Sequence, residues 1–149
     1  MSLGNTAEND VLLLIFNNTN WANVGDATGR RGSTTAGSFY VGLHTADPGE
    51  TGTQTTSETS YTGYGRVAVA RSSGGWTISG TAPTQAANTA AVTFGACSAG
   101  SATLTHVVVG RDSSSTGEIL WTGALTASLA VSAGITPQFA ISALVLTID

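Results

Sequence analysis

Lysine is absent from all 149 residues of this chain. The five basic residues are arginines, Arg30, Arg31, Arg66, Arg71 and Arg111, and charged side chains make up only 9% of the sequence, against about 25% in ordinary soluble domains. With a net charge of −4 and Arg30-Arg31 as the one basic pair, the chain lacks the clustered cations that neutralise phosphates, which argues against a nucleic-acid partner. A single cysteine, Cys97, rules out an intrachain disulfide and reads as a small buried hydrophobe. No basic segment followed by a small-residue cleavage site opens the chain, so a secretory leader is not expected. Its longest apolar run, Val11 to Phe16, has six residues, far short of the ~20 a bilayer requires. Nucleophile-elbow and phosphate-cradling glycine motifs are missing too. So is a repeat of fixed period, which speaks against a solenoid or propeller.

Hydroxyls and glycines are what the chain has in quantity, with 24 threonines and 19 glycines. At this length one core suffices for one domain. Asn5 and Glu8, three apart, predict a capping box opening a helix that runs to about Asn17 or Asn18. Since 11–16 is apolar all round, that helix must be covered on every side, either inside its own domain or by a neighbouring subunit. Val11, Leu12, Leu13, Ile15 and Phe16 are therefore candidates for an interface with a neighbouring subunit. Residues 21–38 read as a Gly-, Thr- and Asn-rich arm.

The central unit is 39–71. A short apolar run over 39–44 and a strand over 64–71, with Val67 and Val69 two apart, flank a long Thr/Ser/Gly/Glu loop. Such spacing marks strands with one buried face, and a loop of that length marks a surface or binding segment. Further strands are expected over 76–79, 91–94, 103–110, 118–123, 125–132 and 139–148. Residues 80–89 read as a loop, with Pro83 barring regular pairing. The spacing points to a mainly β protein, an antiparallel sandwich or barrel of jelly-roll-like kind with one short N-terminal helix. The expected division is 1–38 for helix and arm and 39–149 for the β domain.

Chemistry-bearing constellations are sparse. His44, Asp47 and Glu50 lie three apart, but Asp47-Pro48-Gly49 is first a turn signal, and neither a metal nor a cofactor is expected. His106 sits in an apolar strand and reads as a hydrogen-bonded core residue. Nothing predicts an enzyme. Tyr61 and Tyr64 are candidates for an exposed contact with a sugar; Trp76 and Trp121 read as core anchors, since each alternates with polar neighbours.

Five segments carry a resemblance: FYVGLHTADPGETGT (39–53), SYTGYGRVAVAR (60–71), AAVTFGA (90–96), ATLTHVVVG (102–110) and the stretch from Gly117 to Asp149. Together they resemble a family of small bacteriophage proteins usually labelled tail-fibre or minor virion structural proteins. The resemblance implies a non-enzymatic virion component, with itself and the major capsid or tail proteins as expected partners; the missing leader and short apolar run add the expectation of synthesis in the host cytoplasm and no membrane segment. Two placements fit. A short, non-repetitive, lysine-free β domain with an apolar helix suits a capsid decoration (cement) protein seated between capsomers, the placement favoured on sequence. The alternative is a tail-fibre or tail-associated protein whose β domain meets a host-surface glycan.

Overall fold

The computed structural model describes residues 3–22, 24, 32, 34–80 and 84–148. Along the chain these form α1 (Asn5–Asn17), β1 (Ser38–His44), β2 (Val67–Ala70), β3 (Trp76–Ser79), β4 (Thr84–Asn88), β5 (Val92–Thr93), β6 (Ala102–Gly110), β7 (Ile119–Val131), β8 (Gln138–Phe139) and β9 (Val145–Ile148). The chain is mainly antiparallel β with one short N-terminal helix, as expected. Its sheets are open, with orders β2-β1-β6-β7, β3-β4-β9 and β5-β8, so no barrel closes among the described residues. Two compact units interleave in sequence. One takes Met1–Ser38, Val69–Ala91 and Phe139–Asp149, the other Phe39–Ala68 and Val92–Gln138. The helix shares a unit with β3, β4 and β9; of the expected arm over 21–38, residues 23, 25–31 and 33 lie outside the described residues.

In that first unit α1 lies on β3 and β4. Leu12 and Phe16, one helical turn apart, are fully buried, and the Phe16 ring meets Trp76 edge-on at 4.8 Å. Both side chains therefore serve the unit's own core and are closed to a neighbouring subunit, while Val11, Leu13 and Ile15 are half-buried. The capping box does not form. Gly4 is the N-cap and no side chain caps the helix. Asn5 is already helical, and Glu8 is buried, its carboxylate accepting a 3.3 Å hydrogen bond from the Thr84 hydroxyl. Packing against β4 has drawn Glu8 away from the helix end. At the other end Asn18 takes the left-handed conformation (φ 57°) and the Thr19 N–H donates to Leu13 O, which closes the last turn. Arg71, just past β2, donates to Ile15 O (2.6 Å), Leu14 O (3.1 Å) and Ala36 O (3.0 Å). A cation brought from elsewhere in the sequence thus satisfies the carbonyls that a helix leaves orphaned.

The segment expected to be a loop over 80–89 contains β4, the central strand of its sheet, registered as Ile78↔Ala86 and Ala86↔Leu146. Thr84-Gln85-Ala86-Ala87-Asn88 has weak strand propensity. Its small residues succeed because they are buried beneath the helix, where fit outweighs preference. Pro83 lies outside the described residues. The strand expected over 139–148 is interrupted. Asn88, fully buried, accepts from Ser142 N–H and Leu144 N–H and donates through Nδ2 to Ala140 O. This bends residues 140–144 into a turn in which Ser142 has φ 60°.

In the second unit β1 pairs antiparallel with β6, Val41 opposite Val109 and His44 opposite His106. Residues 41–44 of β1 are buried on both faces, and the segment after the strand turns back along its edge: Thr59 N–H donates to Leu43 O and Thr45 N–H to Ser57 O. The expected strands 118–123 and 125–132 are one strand, β7. Its pairing with β6 slips between His106↔Ala124 and Leu104↔Leu129, leaving four residues, 125–128, opposite Thr105.

Phe16→Ala removes the helix's largest buried side chain and should cost about 3–5 kcal/mol, read as a lowered urea midpoint with loss of the near-UV signal. A helix that served only as a docking arm would leave that midpoint unmoved.

Candidate functional site at the Glu58–Arg66 cleft

The segment expected to be a long surface loop carries no helix or named strand, and more than half of residues 45–63 are exposed, as expected; it is nonetheless folded back on itself. Gln54, Thr59 and Tyr61 within it are buried. Thr53, Thr55 and Thr56 hydrogen-bond one another and their own backbone, so a hydroxyl-rich stretch meets its polar needs locally. Arg66, at the approach to β2, ties this segment to the 110–117 turn. Its Nε donates to Glu58 Oε1 and its Nη2 to Glu58 Oε2, both at 2.7 Å. Nη1 donates to Asp112 O and Nη2 also to Ser115 O, both at 2.9 Å. Four of five guanidinium protons are engaged, and the side chains are only 3% and 15% exposed for Arg66 and Glu58. The bond to Glu58 holds the Arg66 pKa above its ordinary value, against the effect of burial.

Tyr64 completes the knot. Its hydroxyl accepts from Leu43 N–H (3.1 Å) and donates to Glu58 Oε1 (2.8 Å). Burial, aided by the Glu58 carboxylate, pushes the phenol far above its usual range, so it remains a donor. The ring is stacked on Phe94 and meets Tyr61 edge-on at 5.5 Å. Tyr61 is 5% exposed and donates to Gly95 O. The two tyrosines expected to present an exposed aromatic contact are thus packed against each other: Tyr61 is core, and only Tyr64 reaches the surface in part.

Gln54 is the anchor that sequence reading missed. Its Oε1 accepts from Asp112 N–H (3.0 Å) and its Nε2 donates to Asp112 O (3.2 Å), imitating a strand pairing from a side chain. The space it fills exists because Gly110 and Gly117 lack side chains; a Cβ at either would collide with the amide. Two glycines bracketing a serine-rich turn were the available signal.

His44 is fully buried, with Nδ1 2.8 Å from Thr56 O. A carbonyl only accepts, so Nδ1 carries the proton and Nε2 is left without a partner. Burial lowers the His44 pKa, the contacts with Thr56 and Glu58 opposing in part. Asp47 accepts from Gly49 N–H (3.0 Å), which makes its turn. Among the described residues no group of three or more His, Cys, Asp or Glu could hold a metal ion. His106 is half-buried, its Nδ1 2.9 Å from the Thr105 hydroxyl. Trp76 is in the core and Trp121 half-buried on β7.

Beside the knot lies a shallow cleft of about 220 Å³ lined by Glu58, Tyr64, Gly65, Arg66 and Ser113 to Ser115. A charge pair that satisfies itself, rimmed by hydroxyls on a pinned turn, is an arrangement for holding loops in a fixed shape. Fold and site together define a small β protein that presents polar loops on a rigid scaffold. The chain belongs to the family described as podophage GP4 fiber I protein gp80, whose model matches residues 2–147, and it is a phage structural protein of the virion. No curated protein matches it.

Arg66→Ala removes four hydrogen bonds and leaves Glu58 without its cation at the cleft wall, and should cost about 1–3 kcal/mol. Arg66→Lys should fall between, because an ammonium cannot make the paired contact; urea unfolding of the three proteins gives the order. For His44, the unfolded chain takes up its proton first on acidification. Its contribution to stability is therefore complete above the ordinary value of 6.5 and lost as pH falls through the lower folded-state value. His44→Asn keeps a donor for Thr56 but cannot titrate. The stability gap between wild type and variant should narrow from about pH 7 to about pH 5.

Proposed function

We infer that the chain is a fibre-type component of the phage tail, a non-catalytic protein that needs no cofactor and offers its pinned loops to the host surface. The observation that carries this reading is the family match, which spans nearly the whole chain and whose description names a fibre protein. The burial of Leu12 and Phe16 within their own unit supports it further. The free apolar front end that favoured capsid decoration is largely used up in the fold. On this reading the chain assembles with copies of itself and with other tail proteins after synthesis in the host cytoplasm.

Two measurements test it. Gold-labelled antibody against the chain should mark the tail of intact particles; label spread over the capsid faces would restore the decoration reading. Purified chain in excess should slow phage adsorption to host cells, whereas an unchanged adsorption rate would remove the host-contact role.

A further inference from the structure

We propose that the cleft beside Glu58 is a binding subsite for an uncharged, polyhydroxylated ligand, one sugar ring of a neutral glycan. The charge state of the cleft comes first. Arg66 would be the natural anion ligand, but its guanidinium is closed off: two donors go to Glu58, others to Asp112 O and Ser115 O, and the side chain is 3% exposed. A phosphate, sulfate or sugar carboxylate would find no free cation there and would face the Glu58 carboxylate and two carbonyl-capped guanidinium edges. Anions are disfavoured by the same bonds that build the site.

What remains available is hydrogen-bonding capacity without net charge. Glu58 Oε1 already accepts from Tyr64 and Arg66, whereas Oε2 accepts from Arg66 alone among the described residues, and a carboxylate oxygen can accept more than one bond. Ser113, Ser114 and Ser115 are exposed on the rim, and their hydroxyls have no partner among the described residues. Each can both donate and accept, as sugar hydroxyls require. The backbone under them is fixed: Gln54 grips Asp112, Arg66 grips Asp112 and Ser115, and Ser115 is held at φ 66°. A left-handed serine costs conformational energy and persists only where its surroundings over-determine it. Free hydroxyls on a strained, pinned turn lose little entropy when a ligand orders them.

The volume, about 220 Å³, falls below the ~300–1,000 Å³ of complete small-molecule sites, which suits one ring of a longer chain. Access is given by Gly65, where an added Cβ would meet nothing within 4 Å and the backbone lies outside the left-handed region.

This assignment deepens the fibre reading and rests on it only for the supply of a glycan-covered surface. The test uses the purified full chain, displayed in many copies on beads, against an array of neutral hexose and N-acetylhexosamine oligosaccharides beside their sulfated and sialylated counterparts. Wild type should bind neutral members in preference to anionic ones. Gly65→Gln, which fills the cleft without straining the backbone, should abolish binding while leaving the urea midpoint unchanged. The double variant Ser113→Ala, Ser114→Ala should weaken binding about tenfold, as two lost hydrogen bonds imply. Silence across the array, a preference for anionic glycans, or undiminished binding by Gly65→Gln would each overturn the assignment. The readout is separate from that of the fibre reading. A chain found on the tail that binds no neutral glycan refutes the cleft alone; one that binds but decorates the capsid refutes the placement alone.

Discussion

Two arginines at either end of β2 hold the described fold in its working shape. Arg66 gathers a carboxylate and two backbone carbonyls around itself. Arg71 gathers three carbonyls, two of them from the end of α1. In a chain with five cations in all, two are committed to backbone oxygens that sequence-local groups do not reach. Arginine suits this use because its planar fork of five donors serves several acceptors at once, whereas an ammonium concentrates its charge at one point. The lack of lysine is thus in keeping with cations used as fasteners more than as solubilising charge.

The segment after β1 shows how a stretch rich in threonine and serine becomes structure. The Thr45, Thr53, Thr55 and Thr56 hydroxyls bond to one another and to nearby backbone, while that of Thr59 is buried without a partner among the described residues. Side chains then do what strands would do elsewhere: Gln54 pairs with the Asp112 backbone, and Tyr64 spans from Leu43 to Glu58. The result is a pinned polar surface, and a pinned surface loses little to ordering entropy when anything binds it.

Much of the architecture was legible in the sequence. Helix α1 was read from its apolar run and β3 and β6 from alternation and β-branching, signals that burial reinforces. β4 was invisible because its place at the centre of a sheet depends on the helix above it and not on its own composition. The capping box failed for a related reason, Glu8 finding its partner on a strand seventy-six residues away. Tyr61 and Tyr64 were recognised as important, yet their exposure was misjudged: the residues that bury them, Phe94 and Gly95, belong to a distant segment. Gln54 carried no signal of its own. Only the paired glycines at 110 and 117 hinted that something had to fit between them.

The slipped register in the middle of β7 has a consequence for the molecule's life among its own copies. From Ile119 to Ile148 the chain carries no charged residue, so the open margin of the four-stranded sheet has none of the lysines or acids that keep sheets from zipping together. The excursion of residues 125–128 interrupts that margin before it can template a continuous ladder. Geometry there stands in for the electrostatic repulsion that charged residues supply at other sheet edges.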